Sequence, residues 1–353
     1  MIYTKEEENL IVLAGIEELS DRVKSNLLFK YTNAEDRKNY LVKTLPSGVY
    51  NIVKEKFDDG IFRTRLFENL KNKGIECVTC LSPKYPENLK HIDDAPIVLY
   101  CKGNTQLLQS NCFSVVGSRR TPAAMLALCK KISGCLTSAF TVVSGMAEGA
   151  DSAAVEGAVS SGKVISVLAN GFDYFYPACN KSLIEKVAKE GLLVNEYPPH
   201  IQPLKYNFPV RNRIIAGLSR GTLVVSAGAK SGALITADYA LEYGREVFAF
   251  PYNAGQACGV GCNALIKNGA YLTENILDIF QVFGLDLETS AKTPALTEDE
   301  AAVLDEIKLV SEAFLPEVAQ KLNKFTYQLI PVVASLEIKG LIVRLGGNRY
   351  SII

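Results

Sequence analysis

The chain has 353 residues, 48% hydrophobic and 22% charged, the balance of a folded globular protein rather than a disordered or fibrous one. Lysine plus arginine and aspartate plus glutamate both number 38, so bulk charge carries no nucleic-acid signal and any polyanion must be held by a local patch. No apolar run approaches the ~18 residues of a membrane span.

The N-terminal MIYTKEEENLIVL is acidic where a secretory signal would be basic. The nine cysteines are scattered and odd in number. A reducing cytoplasm, away from any membrane, is the expected setting. Across residues 4–70, Leu10, Leu13, Ile16, Leu19 and Val23 keep near-helical spacing with charged residues in the gaps, which predicts a small helical domain over 1–74. From Ile75 the texture changes to short apolar runs. Strand candidates are 97–100, 113–116, 141–143, 164–168, 192–194, 223–225 and 247–250, several of them separated by helix-length segments such as 122–138 and 147–161. Strand–helix alternation predicts an α/β domain over 75–285, a mostly parallel, doubly wound sheet whose ligand site lies beyond the strands' carboxyl ends.

Residues 286–296, DLETSAKTPAL, have the composition of a linker. Three helix candidates follow, at 297–308, 313–322 and 325–339, with a hairpin around Gly346-Gly347-Asn348; together they predict a winged-helix domain over 297–353. Within it Lys321, Lys324, Lys339, Arg344 and Arg349 oppose only Glu337 across residues 320–353, a patch suited to a protein or duplex-DNA contact.

The strand ends carry the chemistry. Gly117-Ser118-Arg119 leaves the strand at 113–116, with Ser118 offering a hydroxyl and Arg119 a cation over the crevice. Ser144 to Asp151 is a second Gly-rich loop, with neither Walker A spacing nor GxGxxG, so no dinucleotide is read from it. In Gly171 to Pro177, Phe172, Tyr174, Phe175 and Tyr176 stand beside Asn180 and Lys181, a pattern suited to stacked bases and a phosphate. Phe208 precedes Arg211, Asn212 and Arg213, and Lys230-Ser231-Gly232 opens a further helix, where backbone N–H groups can hold an anion. Leu265, Ile266, Tyr271 and Leu272 form a stripe that is either core or a dimer surface, and Asn263 opens the same candidate interface with Leu265, Ile266 and Tyr271. Cys77-x-x-Cys80 is a lone CxxC, so reduced thiols and no metal are expected. With only two histidines, His-based catalysis is poorly supplied, and no cofactor is expected.

From about Pro83 to Phe280 these strings, in order, resemble the DNA-processing protein A (DprA/Smf) family of bacteria. They include VVGSR, SGMAEGAD, GFDYFYPACNKSL, FPVRNRIIAGLS and KSGALITADYALEYGREVFAFP. The resemblance implies an extended Rossmann fold and a dimer that binds single-stranded DNA, protects incoming strands and helps load the recombinase RecA in natural transformation, performing no chemistry. It implies DNA contacts from Arg119, Lys181, Arg211, Asn212, Arg213, Lys230, Ser231 and Gly232, to which the reading of the loops adds Ser118, Asn180 and Phe208, and self-association through the helix from Asn263. The N-terminal segment resembles the family's SAM-like helical domain. The chain departs from the family at Glu148, Ser226 and Tyr252. The alternative is a phosphoribohydrolase-like nucleotide-processing enzyme. That activity needs a carboxylate and an arginine poised in the crevice, and Glu148 is the candidate carboxylate.

Overall fold

The computed structural model describes residues 3–19, 23, 24, 26, 34–285, 296–310 and 312–352. Each of the seven apolar runs contributes to a strand of one sheet: β2 (Val98–Gly103), β3 (Cys112–Val116), β4 (Thr141–Ser144), β5 (Val164–Val167), β6 (Leu192–Asn195), β7 (Gly221–Val224) and β8 (Glu246–Ala249). Two short edge strands join them, β1 (Glu76–Thr79) and β9 (Tyr271–Leu272), in the order β1-β2-β6-β5-β4-β3-β7-β8-β9. From β6 to β9 the pairing is parallel, while β1 and β2 run antiparallel at one edge. The edge strands escaped the sequence reading because two to four residues are too few to show a period.

The helices of this region are α1 (Lys5–Gly15), α2 (Ala34–Thr44), α3 (Ser47–Asp58), α4 (Gly60–Asn72), α5 (Glu87–Lys90), α6 (Ala123–Leu136), α7 (Ala150–Ala158), α8 (Lys181–Glu190), α9 (Asn207–Leu218), α10 (Gly232–Glu242), α11 (Val260–Lys267) and α12 (Ile276–Val282). Strand alternation sorts the core into two layers. Val115 packs with α6 and α7, while the next residue, Val116, packs with α9 and α10 on the opposite face. Before the sheet, Thr4 and Glu7 form a capping box that starts α1. Leu10, Ile11 and Ala14 of α1 then share a core with Leu70, Ile75, Cys77 and Tyr100, so the N-terminal helices are anchored on the β1–β2 edge.

The expected linker lies, apart from Leu296, outside the described residues. Beyond it, α13 (Glu298–Lys308), α14 (Leu315–Lys321) and α15 (Thr326–Ile338) pack against a three-stranded antiparallel sheet of β10 (Ala313–Phe314), β11 (Ile342–Leu345) and β12 (Arg349–Ile352). Val303, Ile307, Leu329, Val333 and Ile342 form its separate core. The cation excess of residues 320–353 is neutralised on folding. Lys321 pairs with Glu306 at 3.0 Å, Lys324 with Asp299 at 2.5 Å and Lys339 with Glu300 at 2.6 Å, and Arg349 lies 3.8 Å from Glu312. The acids come from residues 299–312, just before the window in which the charge was counted. The outer face of α15 carries Tyr327, Ile330 and Ile338, all exposed.

The Lys339 ammonium, the Thr297 backbone N–H and the Ser335 hydroxyl hold the Glu300 carboxyl down to about 2 from an ordinary 4.5. Folding therefore favours its ionised form, so its contribution to stability is complete above about pH 4.5 and is lost as pH falls through about 2. Amide hydrogen exchange in α13 and α15, followed from pH 6 downwards, is expected to accelerate in that window relative to a Glu300→Gln chain, whose protection lacks this titration; parallel curves would remove Glu300 as the cause.

Candidate nucleic-acid interface

The chain order of the sheet reverses at β3: β4, β5 and β6 lie to one side of it and β7, β8 and β9 to the other. The segments leaving β3 and β7 diverge and leave a crevice at the strands' carboxyl ends. A cavity of about 400 Å³ fills it, walled by Val116 to Arg120, Ala147, Asp151, Phe208, Arg211, Asn212, Ile215, Ser231 to Ala233 and Thr236. The loop after β4 closes against the loop after β3 through Gly149 (φ 81°). A Cβ there would lie 2.6 Å from the Ser118 carbonyl oxygen and 2.7 Å from that of Arg119, so only glycine permits the approach. On the other wall Ser231 caps α10 by accepting from the Ala233 N–H at 3.3 Å, and Asn212 Nδ2 donates to the Gly232 carbonyl at 3.2 Å.

Seven of the sequence-predicted residues thus meet around one cavity: Ser118, Arg119, Phe208, Arg211, Asn212, Ser231 and Gly232. Lys230 is exposed beside it. Arg120, Ile215 and Thr236 join the wall without having been singled out. For Thr236 the signal was present, since it stands four residues after Gly232 and so on the same face of a helix.

The expectation that Arg211 and Arg213 wall a DNA groove is corrected: Arg213 is not on the cavity, and Arg211 is its buried floor rather than an exposed wall. They are 4% and 3% exposed, and residues two apart on a helix point to nearly opposite sides. Arg211 turns beneath the crevice, where Nη1 donates to the carbonyls of Gly145 (2.6 Å) and Val167 and Nε donates to Asn212 Oδ1 at 3.2 Å. Asp151 sits beside it and accepts from the Ala147 N–H at 3.4 Å. Burial raises the Asp151 carboxyl above its ordinary range, against the Arg211 charge and the backbone N–H groups of Ala147, Gly117 and Gly145. Burial also draws the Arg211 guanidinium down to about 10, which leaves it protonated at neutral pH. The pair therefore ties together the ends of β3, β4 and β5 and forms a floor. Arg213 faces away from the cavity and pairs with Glu196 at 2.5 Å and Asp94 at 3.1 Å.

From the cavity wall outward, rings and cations from separate strand ends form a line. The Lys181 ammonium lies 5.1 Å from the Phe175 ring centroid. Tyr176 follows Phe175, and its ring lies 5.3 Å from that of Phe208. Phe208 in turn has the Arg119 and Arg211 guanidinium carbons each 5.9 Å from its centroid. Lys73 holds Asp173 of this aromatic loop at 2.6 Å. Asn180 is not on the cavity. Its Nδ2 donates to the Met146 carbonyl (2.9 Å) and to Ser152 (3.1 Å), and it lines a neighbouring depression that also contains Glu148.

Of the other departures, Ser226 is buried, and its hydroxyl donates to the Cys258 carbonyl at 2.9 Å; the Tyr252 hydroxyl donates to the Val225 carbonyl at 2.8 Å. Both support the segment after β7 from behind. In the expected dimer stripe Leu265 is buried in the core, and Asn263 uses both ends of its amide on the Tyr252 backbone, so neither is free at the surface. Ile266 is partly buried against the core. The exposed apolar residues of that edge are Val260, Tyr271, Leu272 and Leu277. Among the described residues no group of three His, Cys, Asp or Glu side chains could hold a metal ion, and no helix is long and apolar enough to cross a membrane.

Residues 76–284, which contain the whole crevice, match the family model of DNA recombination-mediator protein A. The chain belongs to this family. It is 42% identical over 200 residues to the DNA processing protein DprA of Streptococcus pneumoniae, covering 56% of this chain and 71% of that one. To its Bacillus subtilis counterpart it is 39% identical over 223 residues, covering 62% and 74%. The X-ray structure of the S. pneumoniae protein superposes with a TM-score of 0.69 at 33% identity, over 80% of this chain and 98% of that one. A second family structure, that of DNA processing protein A from Helicobacter pylori, reported for its single-stranded-DNA binding mode, gives a TM-score of 0.54 at 27% identity, over 59% and 95%. Membership of the recombination-mediator family assigns the chain a role in DNA processing.

Proposed function

We propose that the crevice and the ring–cation line form one track for single-stranded DNA. In this reading the chain is a non-enzymatic mediator that shields strands and helps place RecA on them during uptake of DNA in the cytoplasm. The observation that carries it is the line Lys181–Phe175, Tyr176–Phe208–Arg119, in which three aromatic rings stand between two cations drawn from separate strand ends. A mononucleotide needs one cradle, whereas a strand needs successive stacking faces with phosphate partners between them. Lys230 and the start of α10 extend the track, and the Val260, Tyr271, Leu272 and Leu277 edge is the surface for a second copy.

The nucleotide-processing alternative is less favoured. The carboxylate and arginine in the crevice are Asp151 and Arg211, and both hold backbone groups of the surrounding loops. Glu148 lies outside the cavity wall. Duplex reading by the C-terminal unit is disfavoured by its paired cations and by the apolar outer face of α15; we read that unit as a winged helix that docks protein.

A gel shift with single-stranded and duplex DNA of one sequence tests the proposal. Retention of the single strand at concentrations that leave the duplex free, and faster RecA filament growth on the retained strand, are expected. Equal retention of both forms would refute the single-strand track, and unchanged filament growth would refute the mediator role.

A further inference from the structure

The charge around the crevice is unevenly distributed. The cations Arg119 and Arg120 stand exposed at the rim. The floor holds Arg211 and Asp151 side by side and has no net charge. A phosphate gains little by entering a neutral floor that contains a carboxylate, whereas a base, which is uncharged and flat, gains from the apolar walls of Val116, Ile215 and Ala233. Phe208 at the wall offers a ring face for stacking.

The polar groups of the floor are mismatched in kind. Thr236 is 1% exposed and lines the cavity, and its hydroxyl has no hydrogen-bond partner among the described residues. Arg211 engages protein acceptors through Nη1 and Nε, which leaves Nη2 with donors to spare. The acceptors, by contrast, are occupied: Asp151 by backbone N–H groups, and Asn212 Oδ1 by Arg211. Arg211 can only donate and the Thr236 hydroxyl can donate to the same atom, so a ligand that presents an acceptor there leaves no donor unmatched, whereas an unmatched buried donor costs more than a hydrogen bond returns.

We propose that this cavity receives one base of the bound strand and selects a base with a carbonyl oxygen (O4 of thymine or uracil, O6 of guanine) at the position where cytosine and adenine carry an amine. Thr236 and Arg211 Nη2 donate to the carbonyl oxygen, and Arg119 and Arg120 keep the flanking phosphates at the rim. The exocyclic amine of cytosine or adenine would instead meet Arg211, which can only donate. The inference rests on the single-strand reading above and adds a specificity determinant, Thr236, to it.

The test compares short oligo-dT, oligo-dU and oligo-dC of equal length on wild type, Thr236→Val and Thr236→Ser. Valine keeps the branched shape and removes the hydroxyl, while serine keeps the hydroxyl. Wild type is expected to bind dT and dU roughly fivefold or more tighter than dC, the discrimination of one good hydrogen-bonded base contact. The valine variant should lose that preference by weakening on dT and dU alone, and serine should retain it. Equal affinity of wild type for dT and dC would overturn the inference. So would a valine variant that weakens on both alike, which would place a phosphate or sugar in the cavity. Failure of every oligonucleotide to bind would instead defeat the single-strand reading itself.

Discussion

Replacing Arg211 with methionine is expected to lower the free energy of unfolding by about 3–5 kcal/mol, the usual cost of removing one partner from a buried charge pair. The residue keeps a similar reach, but the carbonyls of Gly145 and Val167 lose their donor, and Asp151 loses the positive charge that offsets its burial. Urea denaturation followed by far-ultraviolet circular dichroism measures this directly, since the chain has no tryptophan. Arg119→Ala is the control. Arg119 is exposed, and its loss should move stability by no more than ~0.5 kcal/mol. If Arg211→Met unfolded at the wild-type midpoint and only strand binding suffered, Arg211 would serve the strand alone, and its part in holding the strand ends together would be wrong. Arg213→Met should behave like Arg211→Met in stability, because it leaves Glu196 buried without its 2.5 Å partner.

The second large effect is on binding. The double variant Arg119→Ala, Lys181→Ala should bind single-stranded DNA on the order of a hundredfold more weakly at moderate salt, taking ~1.4 kcal/mol for each charge-assisted contact. Its midpoint of unfolding should not change. Each lost phosphate contact also reduces the dependence of log affinity on log salt by about 0.7, so the double variant should be flatter by about 1.4. Titrations at several salt concentrations separate this from a general loss of fold, which would weaken binding without that change in slope. Wild-type affinity and slope in the double variant would place the strand elsewhere on the surface.

Much of the architecture is legible in the sequence. The parallel sheet followed from seven β-branched or aromatic runs, several separated by helix-length segments, because a strand buried on both faces must be apolar at every position. That Gly117, Ser118 and Arg119 gather near Ser231 and Gly232 followed from the rule that loops at the carboxyl ends of such strands converge. Lys181 and Phe175 share the chain segment that suggested them, and they do meet in space.

The roles within the RNR string were not legible. Its three polar residues look alike in sequence, yet helical geometry sends Arg211 under the crevice, Asn212 across to α10 and Arg213 to Glu196 behind it. Charge counted along the chain misled in the same way at the C-terminus, where the acids that neutralise Lys321, Lys324 and Lys339 lie on or beside α13 rather than in the counted window. Composition and periodicity report what each residue is and how often it recurs, which settles sheet, helices and the end of the sheet at which a ligand sits. Whether a cation faces solvent or a buried carboxylate depends on which elements pack together, and that is decided by contacts between residues far apart in the chain. By itself the sequence determined an α/β sheet with Gly-, Ser- and Arg-bearing loops gathered at the carboxyl ends of its strands. Only the tertiary structure decided that Arg119 and Lys181 are the crevice's outward cations and that Arg211 and Asp151 are its floor.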